Sequence, residues 1–181
     1  MSMLHGIVSA ARLARTGSQY GQRSAWPNGT TVSTHDILIE ERSLTAHAHT
    51  RGTPCVLISH AGESDDRAGR RTVVLATVLE RVEGRRLRPD EITVDCDLRT
   101  IRTQCLEARL LNSPRALART PMLIHSCDDQ SPPLQVSLPR ETSPGDLLAL
   151  VCRGTIAASQ TRPHVRHPES ADDEWHGRCM K

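Results

Sequence analysis

Apolar residues run along this chain in short blocks, each closed by a polar turn. Residues 3–15 (MLHGIVSAARLAR) place Leu4, Ile7, Val8, Ala11 and Leu13 near helical spacing, which predicts a short N-terminal amphipathic helix. Residues 16–34 are rich in Gly, Ser, Thr and Asn and read as a loop, with WPNGTT as a turn. From residue 36 the blocks become strand-like: DILIEE, SLTAHAHT, TPCVLISHAG, TVVLATVLERV, EITVDCDL, PMLIHSCDD, PLQVSLP and GDLLALVCRGTIAAS. EITVDCDL alternates Ile92, Val94 and Cys96 on one face, as a half-buried strand does. RTIRTQCLEARLLNS is open to two readings, a helix or a bent strand, and the last two blocks read as a hairpin turning at Pro144-Gly145-Asp146. Beyond about Gln160 the chain is polar and reads as a flexible tail.

Many short strands between polar turns predict a mainly β fold, a barrel-like β-domain preceded by one short N-terminal helix. The division is a helix-and-loop leader at 1–34, the β-barrel at 35–160 and a tail at 161–181. Of the 181 residues 37% are hydrophobic, but Phe is absent and only one Tyr and two Trp occur. The core therefore has to be assembled from Leu, Ile, Val and Ala, with little aromatic area.

Charge narrows the function classes. The net charge is +2, and Arg supplies almost all the positive side chains because the only lysine is Lys181. Scattered Arg without interleaved aromatics gives no nucleic-acid footprint, so no nucleic-acid partner is expected. No run of about 18 apolar residues predicts a membrane span, and the N-terminus lacks the basic start and long apolar core of a signal peptide. The expected location is cytoplasmic, with its six cysteines reduced. None of them is spaced C-x-x-C, so no zinc site is expected. His47 and His49 would share one face of a strand, as solvent-facing residues or as half of a metal site. No Gly-rich phosphate loop and no G-x-S-x-G elbow is present.

The order of the later blocks carries a resemblance. A Cys followed by an acid (Cys127-Asp128), a later Leu-Pro, then Gly-Asp-Leu-Leu and Gly-Thr-Ile resembles the C-terminal β-domain of the fold-type III pyridoxal-phosphate decarboxylases, the diaminopimelate, ornithine and arginine decarboxylase family. Upstream, ILIEERSLTAHAHT resembles that family's EPGRSLVAHAG segment, and EITVDCDL its Val-Asp-Gly-Gly strand. The resemblance spans roughly residues 5–165 and is densest over 121–159.

It implies that Glu40 or Glu41 would face the pyridine nitrogen of pyridoxal phosphate, that Arg42 and Gly154 would lie near its phosphate, and that Cys127 and Asp128 would reach a neighbouring active site as catalytic residues. Departures from the family pattern are specific. Pro-Gly is missing between Glu40 and Arg42, Ser131 replaces an acid, and Ile156 stands where the family has a Tyr. A TIM barrel needs roughly 200 or more residues, and Lys181 is the sole lysine available for a Schiff base. The resemblance therefore implies a β-domain that is inactive alone and complements a separate TIM-barrel decarboxylase chain. The alternative is a non-catalytic β-barrel interaction module that self-associates, or a decayed fragment. Read without the resemblance, Cys127-Asp128-Asp129 is an acidic turn and Glu40, Glu41 and Arg42 are surface charges at a strand end.

Overall fold

The structure is a computed structural model and describes residues 25–33, 36–59, 70–85, 88–111, 118–128 and 131–163. Among these, the chain is mainly β. Ten strands run β1 (Thr30–Val32), β2 (Ile37–Ile39), β3 (Arg42–Ser43), β4 (Cys55–Ser59), β5 (Arg71–Val82), β6 (Asp90–Val94), β7 (Cys105–Leu110), β8 (Arg119–Ser126), β9 (Leu134–Pro139) and β10 (Leu147–Arg153). Two short helices, α1 (Leu44–Arg51) and α2 (Arg99–Gln104), are inserted between them. The expected N-terminal helix at 3–15 and most of the tail lie outside the described residues.

The larger sheet has the order β7-β10-β5-β6-β8-β9, with β4 also paired to β5. It curls so that β7 and β9 approach each other without forming a ladder, leaving a barrel open along one seam. Most pairs are antiparallel; β6 and β8 are parallel. The strands predicted over TVVLATVLERV, EITV and PMLIHS are present.

The unbroken apolar texture of β5 and β10 follows from burial on both faces. Val74, Ala76 and Val78 of β5 and Leu148, Leu150 and Cys152 of β10 point into the barrel, where they meet Ile92, Val94, Met122, Ile124, Leu138 and Ile156. Val73 and Leu75, with Ala149 and Val151, point outward into a second core with Trp26, Ile37, Ile39, Leu44 and Ala48. That outer layer consists of α1 and the small antiparallel sheet β1-β2-β3.

Three expectations need correction. SLTAHAHT is not a strand. Ser43 caps a helix by accepting the Ala46 N–H at 2.9 Å, and Leu44 and Ala48, four apart, are its buried residues. Gly52, at φ 73°, ends it. Residues two apart on a helix diverge by about 200°, so His47 and His49 do not share a face; His47 is half-buried and His49 exposed. Next, Thr30–Val32 is a strand rather than part of a loop, because it pairs antiparallel with Ile37–Ile39 of β2. Finally, the last two apolar blocks do not form a hairpin. β9 pairs with β8, whereas β10 inserts between β5 and β7. The ambiguous stretch at 99–113 contains both predicted elements in succession, α2 and then β7.

Candidate functional site

Cys127 and Asp128 form the turn that leaves β8. The Cys127 N–H donates to the Val94 carbonyl at 3.1 Å, and the buried Ser126 hydroxyl donates to the Cys96 carbonyl at 2.9 Å. These bonds continue the β6–β8 pairing and fix the turn at the barrel rim. Cys127 is exposed and Asp128 half-buried.

The neighbouring stretch 95–99 supplies the rest of the rim. Asp95 accepts the Thr77 N–H at 2.8 Å and the Thr53 hydroxyl at 2.5 Å. Asp97 is buried; it accepts the Arg99 N–H at 2.8 Å and the Arg99 guanidinium through both carboxylate oxygens, and its own N–H donates to the Thr161 carbonyl. Asp128 lies close enough to add to the field on Arg99. Partial burial, then the charges of Asp128, Asp95 and Asp97, push the Cys127 thiol up from its ordinary value. It is therefore protonated at neutral pH and poorly nucleophilic. Burial, then Asp95 and Cys127, push the Cys96 thiol up further. Asp95 and Asp97 are engaged by backbone, Thr53 and Arg99, and Cys127 is the exposed side chain of this turn.

Glu40 and Arg42 sit on another surface, at the β2–β3 turn. Glu40 and Glu41 are the central residues of a two-residue hairpin turn with φ 51° and 65°, a geometry that Gly or Asn adopts far more readily. Glu40 accepts the Ser59 hydroxyl at 2.9 Å, which ties the turn to the end of β4. Ser59 is paired with Arg71, and Arg71 with Arg153, the residue before Gly154. Ser59 and Arg153 thus flank Arg71 at the start of β5, about two strand spacings or roughly 10 Å apart, with Glu40 bonded to the first and Gly154 following the second. The cofactor trio implied by the resemblance lies on this flank, and the Cys127–Asp128 turn lies beyond α2 at the rim formed by β6 and β8.

The flank does not fit a phosphate group. The Gly154 N–H donates to the Arg70 carbonyl at 2.9 Å, and its carbonyl accepts the Thr72 hydroxyl at 2.9 Å. The Ile156 N–H donates to the same Thr72 hydroxyl at 3.0 Å, and its side chain is fully buried in the barrel. Gly154, at φ 77°, is a chain reversal at the strand end. The backbone donors a phosphate would use are engaged within the chain, and no mechanistic step is assigned to pyridoxal phosphate. Among the described residues no group of three or more His, Cys, Asp or Glu side chains converges as a metal site, and no helix is long and apolar enough to cross a membrane.

Sequence reasoning missed Asp97, Arg99 and the facing pair Cys105 and Cys152. The Asp-x-Asp of VDCDLR was the available signal for the first two; the pairing of β7 with β10 had none.

No known protein family matches the sequence. No curated protein matches it either. Among solved structures, the fold is similar to two of the Paramecium bursaria Chlorella virus arginine decarboxylase, one of them bound to agmatine. Each is 18% identical with a TM-score of 0.37 and covers 46% of this chain. The chain spans about a quarter of the length of those proteins, 24% and 25%.

Proposed function

We propose that this chain is a β-domain without catalysis of its own, equivalent to the C-terminal β-domain of pyridoxal-phosphate amino-acid decarboxylases, and that it serves a separate lysine-bearing TIM-barrel chain through Cys127 and Asp128. The observation that carries the reading is the rim turn: a Cys-acid pair fixed by the Cys127 N–H on the Val94 carbonyl, with Cys127 exposed and Asp128 half-buried beside it. Such a turn can enter a partner's site without rearranging the barrel. The ordered sequence motifs and the lack of any lysine before Lys181 support the same assignment. On this reading amino-acid decarboxylation and its pyridoxal phosphate belong to the partner, and this chain supplies side chains at the interface.

The test is purification of the tagged chain from its host, followed by an absorbance scan of the eluate for bound pyridoxal phosphate. A co-purifying lysine-bearing chain with that chromophore is expected, and Cys127→Ala with Asp128→Asn should lower its decarboxylase activity. A partner whose activity is the same with wild-type chain, double variant or no chain at all would overturn the proposal.

The open seam favours a second reading, a barrel that self-associates. Among the described residues the outer edges of β7 and β9 have no ladder partner, and the Ala108 carbonyl is met there by the Arg119 guanidinium at 2.7 Å. Sedimentation gives a dimer on this reading and a monomer if it is wrong.

A further inference from the structure

Cys105 opens β7 and Cys152 lies near the end of β10, and the two are direct partners across the antiparallel ladder. The register gives the reason. From Leu148 to Val151 the partners step regularly from Leu110 to Glu107, and then Cys152 skips Leu106 and meets Cys105. Leu106 is thus the extra residue of a β-bulge, and it is exposed. In an unbulged ladder Leu106 would oppose Cys152 and Cys105 would turn away from the barrel. The bulge re-aims Cys105 inward against the core that holds Cys152.

Each thiol donates to a carbonyl of its own strand, Cys105 to Glu107 at 3.6 Å and Cys152 to Leu150 at 3.8 Å. Opposed residues of an antiparallel pair have Cα atoms about 4.5–5.5 Å apart, inside the roughly 4.4–6.8 Å that a disulfide spans. Accessibility differs between them. Cys152 is fully buried, whereas Cys105 is half-buried and lines the groove between β7 and β9 together with Arg119, Leu134 and Val136. The pair therefore has one residue at the groove and one directly behind it.

We infer that Cys105 and Cys152 form a thiol–disulfide exchange site that reacts with anionic low-molecular-weight disulfides entering the β7–β9 groove. The Cys105 thiolate attacks one sulfur of the small disulfide; a new S–S bond forms and one thiolate leaves. Cys152 then attacks the Cys105 sulfur, forming the cross-strand bond and expelling the second thiolate, which takes up the Cys152 proton. The protein pair is oxidised by two electrons and the small disulfide is reduced to two thiols. The neighbouring Cys152 thiol lowers the Cys105 thiol below its ordinary value, which favours the attacking form, and Cys105 together with burial raises that of Cys152. Arg119 gives the groove a cation for an anionic disulfide.

The experiment is incubation of the folded chain with oxidised glutathione, alkylation of the remaining thiols, and peptide mapping by mass spectrometry. Wild type is expected to yield a Cys105–Cys152 linked peptide and lose two alkylatable thiols, with unchanged circular dichroism. Cys152→Ala is expected to stop at a glutathione adduct on Cys105, and Cys105→Ser to abolish both products. The wild-type map alone decides the matter if a variant fails to fold. Full alkylation of Cys105 and Cys152 after incubation, or adducts confined to Cys127, would overturn the inference.

Discussion

Asp95 holds the backbone N–H of Thr77 at 2.8 Å at the residue where β5 exchanges one neighbour for another. Up to Leu75 this edge of β5 is paired with β4, and from Val78 it is paired with β6. Thr77 falls between the two ladders, and without Asp95 its N–H would have no strand partner on that side. The carboxylate also receives Thr53 from the segment leading into β4, so one side chain joins three pieces of the sheet.

Asp95→Ala should accordingly destabilise the fold by about 2 kcal/mol, the range for losing hydrogen bonds to a charged acceptor and stranding a donor. Urea unfolding measures it. A midpoint equal to wild type would mean that water replaces the carboxylate at no cost.

The Glu40–Glu41 turn predicts a gain. Both residues are held in the left-handed region, at a cost of roughly 1 kcal/mol or more each for a side chain with a Cβ. Glu41→Gly keeps the Glu40–Ser59 bond and should stabilise the chain by about 1 kcal/mol, read as a higher melting temperature. The corresponding Glu40→Gly change should gain less, because it also removes that bond.

Burial on two faces makes β10 sensitive at successive residues. Leu150→Ala, inside the barrel, should cost about 3 kcal/mol. Val151→Ala, in the outer core, should cost about 2 kcal/mol. In an ordinary half-exposed strand one of the two neighbours would be nearly neutral, so a neutral Val151→Ala would refute the two-core packing.

Acid should weaken the fold through Asp90 and Asp36. The Gly84 N–H holds the Asp90 carboxyl below its ordinary value against some desolvation, with help from the Arg81 guanidinium at 2.8 Å. Partial burial raises Asp36, but hydrogen bonds from Ser43, Thr45 and Ile37 outweigh it. Both folded values lie below the unfolded value of about 3.8. Their stabilisation is therefore complete above that pH and is lost as pH falls through the folded values. Asp90→Asn should flatten the decline of unfolding free energy below about pH 4; an unchanged slope would count against this pairing.

Thiol reactivity should invert exposure. Cys127 is exposed yet held protonated by partial burial and its acidic neighbours, while Cys105 is half-buried and lowered by its neighbour Cys152. Alkylation at pH 7 followed by peptide mapping should label Cys105 first, and Cys127 should catch up as pH rises. Faster labelling of Cys127 at pH 7 would contradict this.

Much of the strand content was legible because β-branched and apolar runs such as TVVLATV and EITV have no other economical use. The class of fold followed from their number. Two features resisted. At Leu44–Arg51 the alternation of His and Ala mimics a strand, and only the Ser43 cap and the four-residue spacing of Leu44 and Ala48 mark a helix. The placement of β10 resisted for a different reason: pairing is decided by which apolar faces meet across some 70 residues, and proximity to β9 in the chain says nothing about that. The surroundings of the candidate residues were not legible. Cys127 and Asp128 were found together on the rim, whereas the roles of Asp95 and Asp97 depend on donors from Thr53, Thr77 and Arg99, which lie partly in distant segments.

The insertion of β10 between β5 and β7 has a consequence for biosynthesis. A chain emerging from the ribosome presents β5 early, with apolar side chains on both faces, and cannot cover its β10 edge until residue 153 has been made. During that interval β5 is a long, sticky, half-paired ribbon. Slowing synthesis between residues 82 and 147 should therefore lower the soluble yield of this protein.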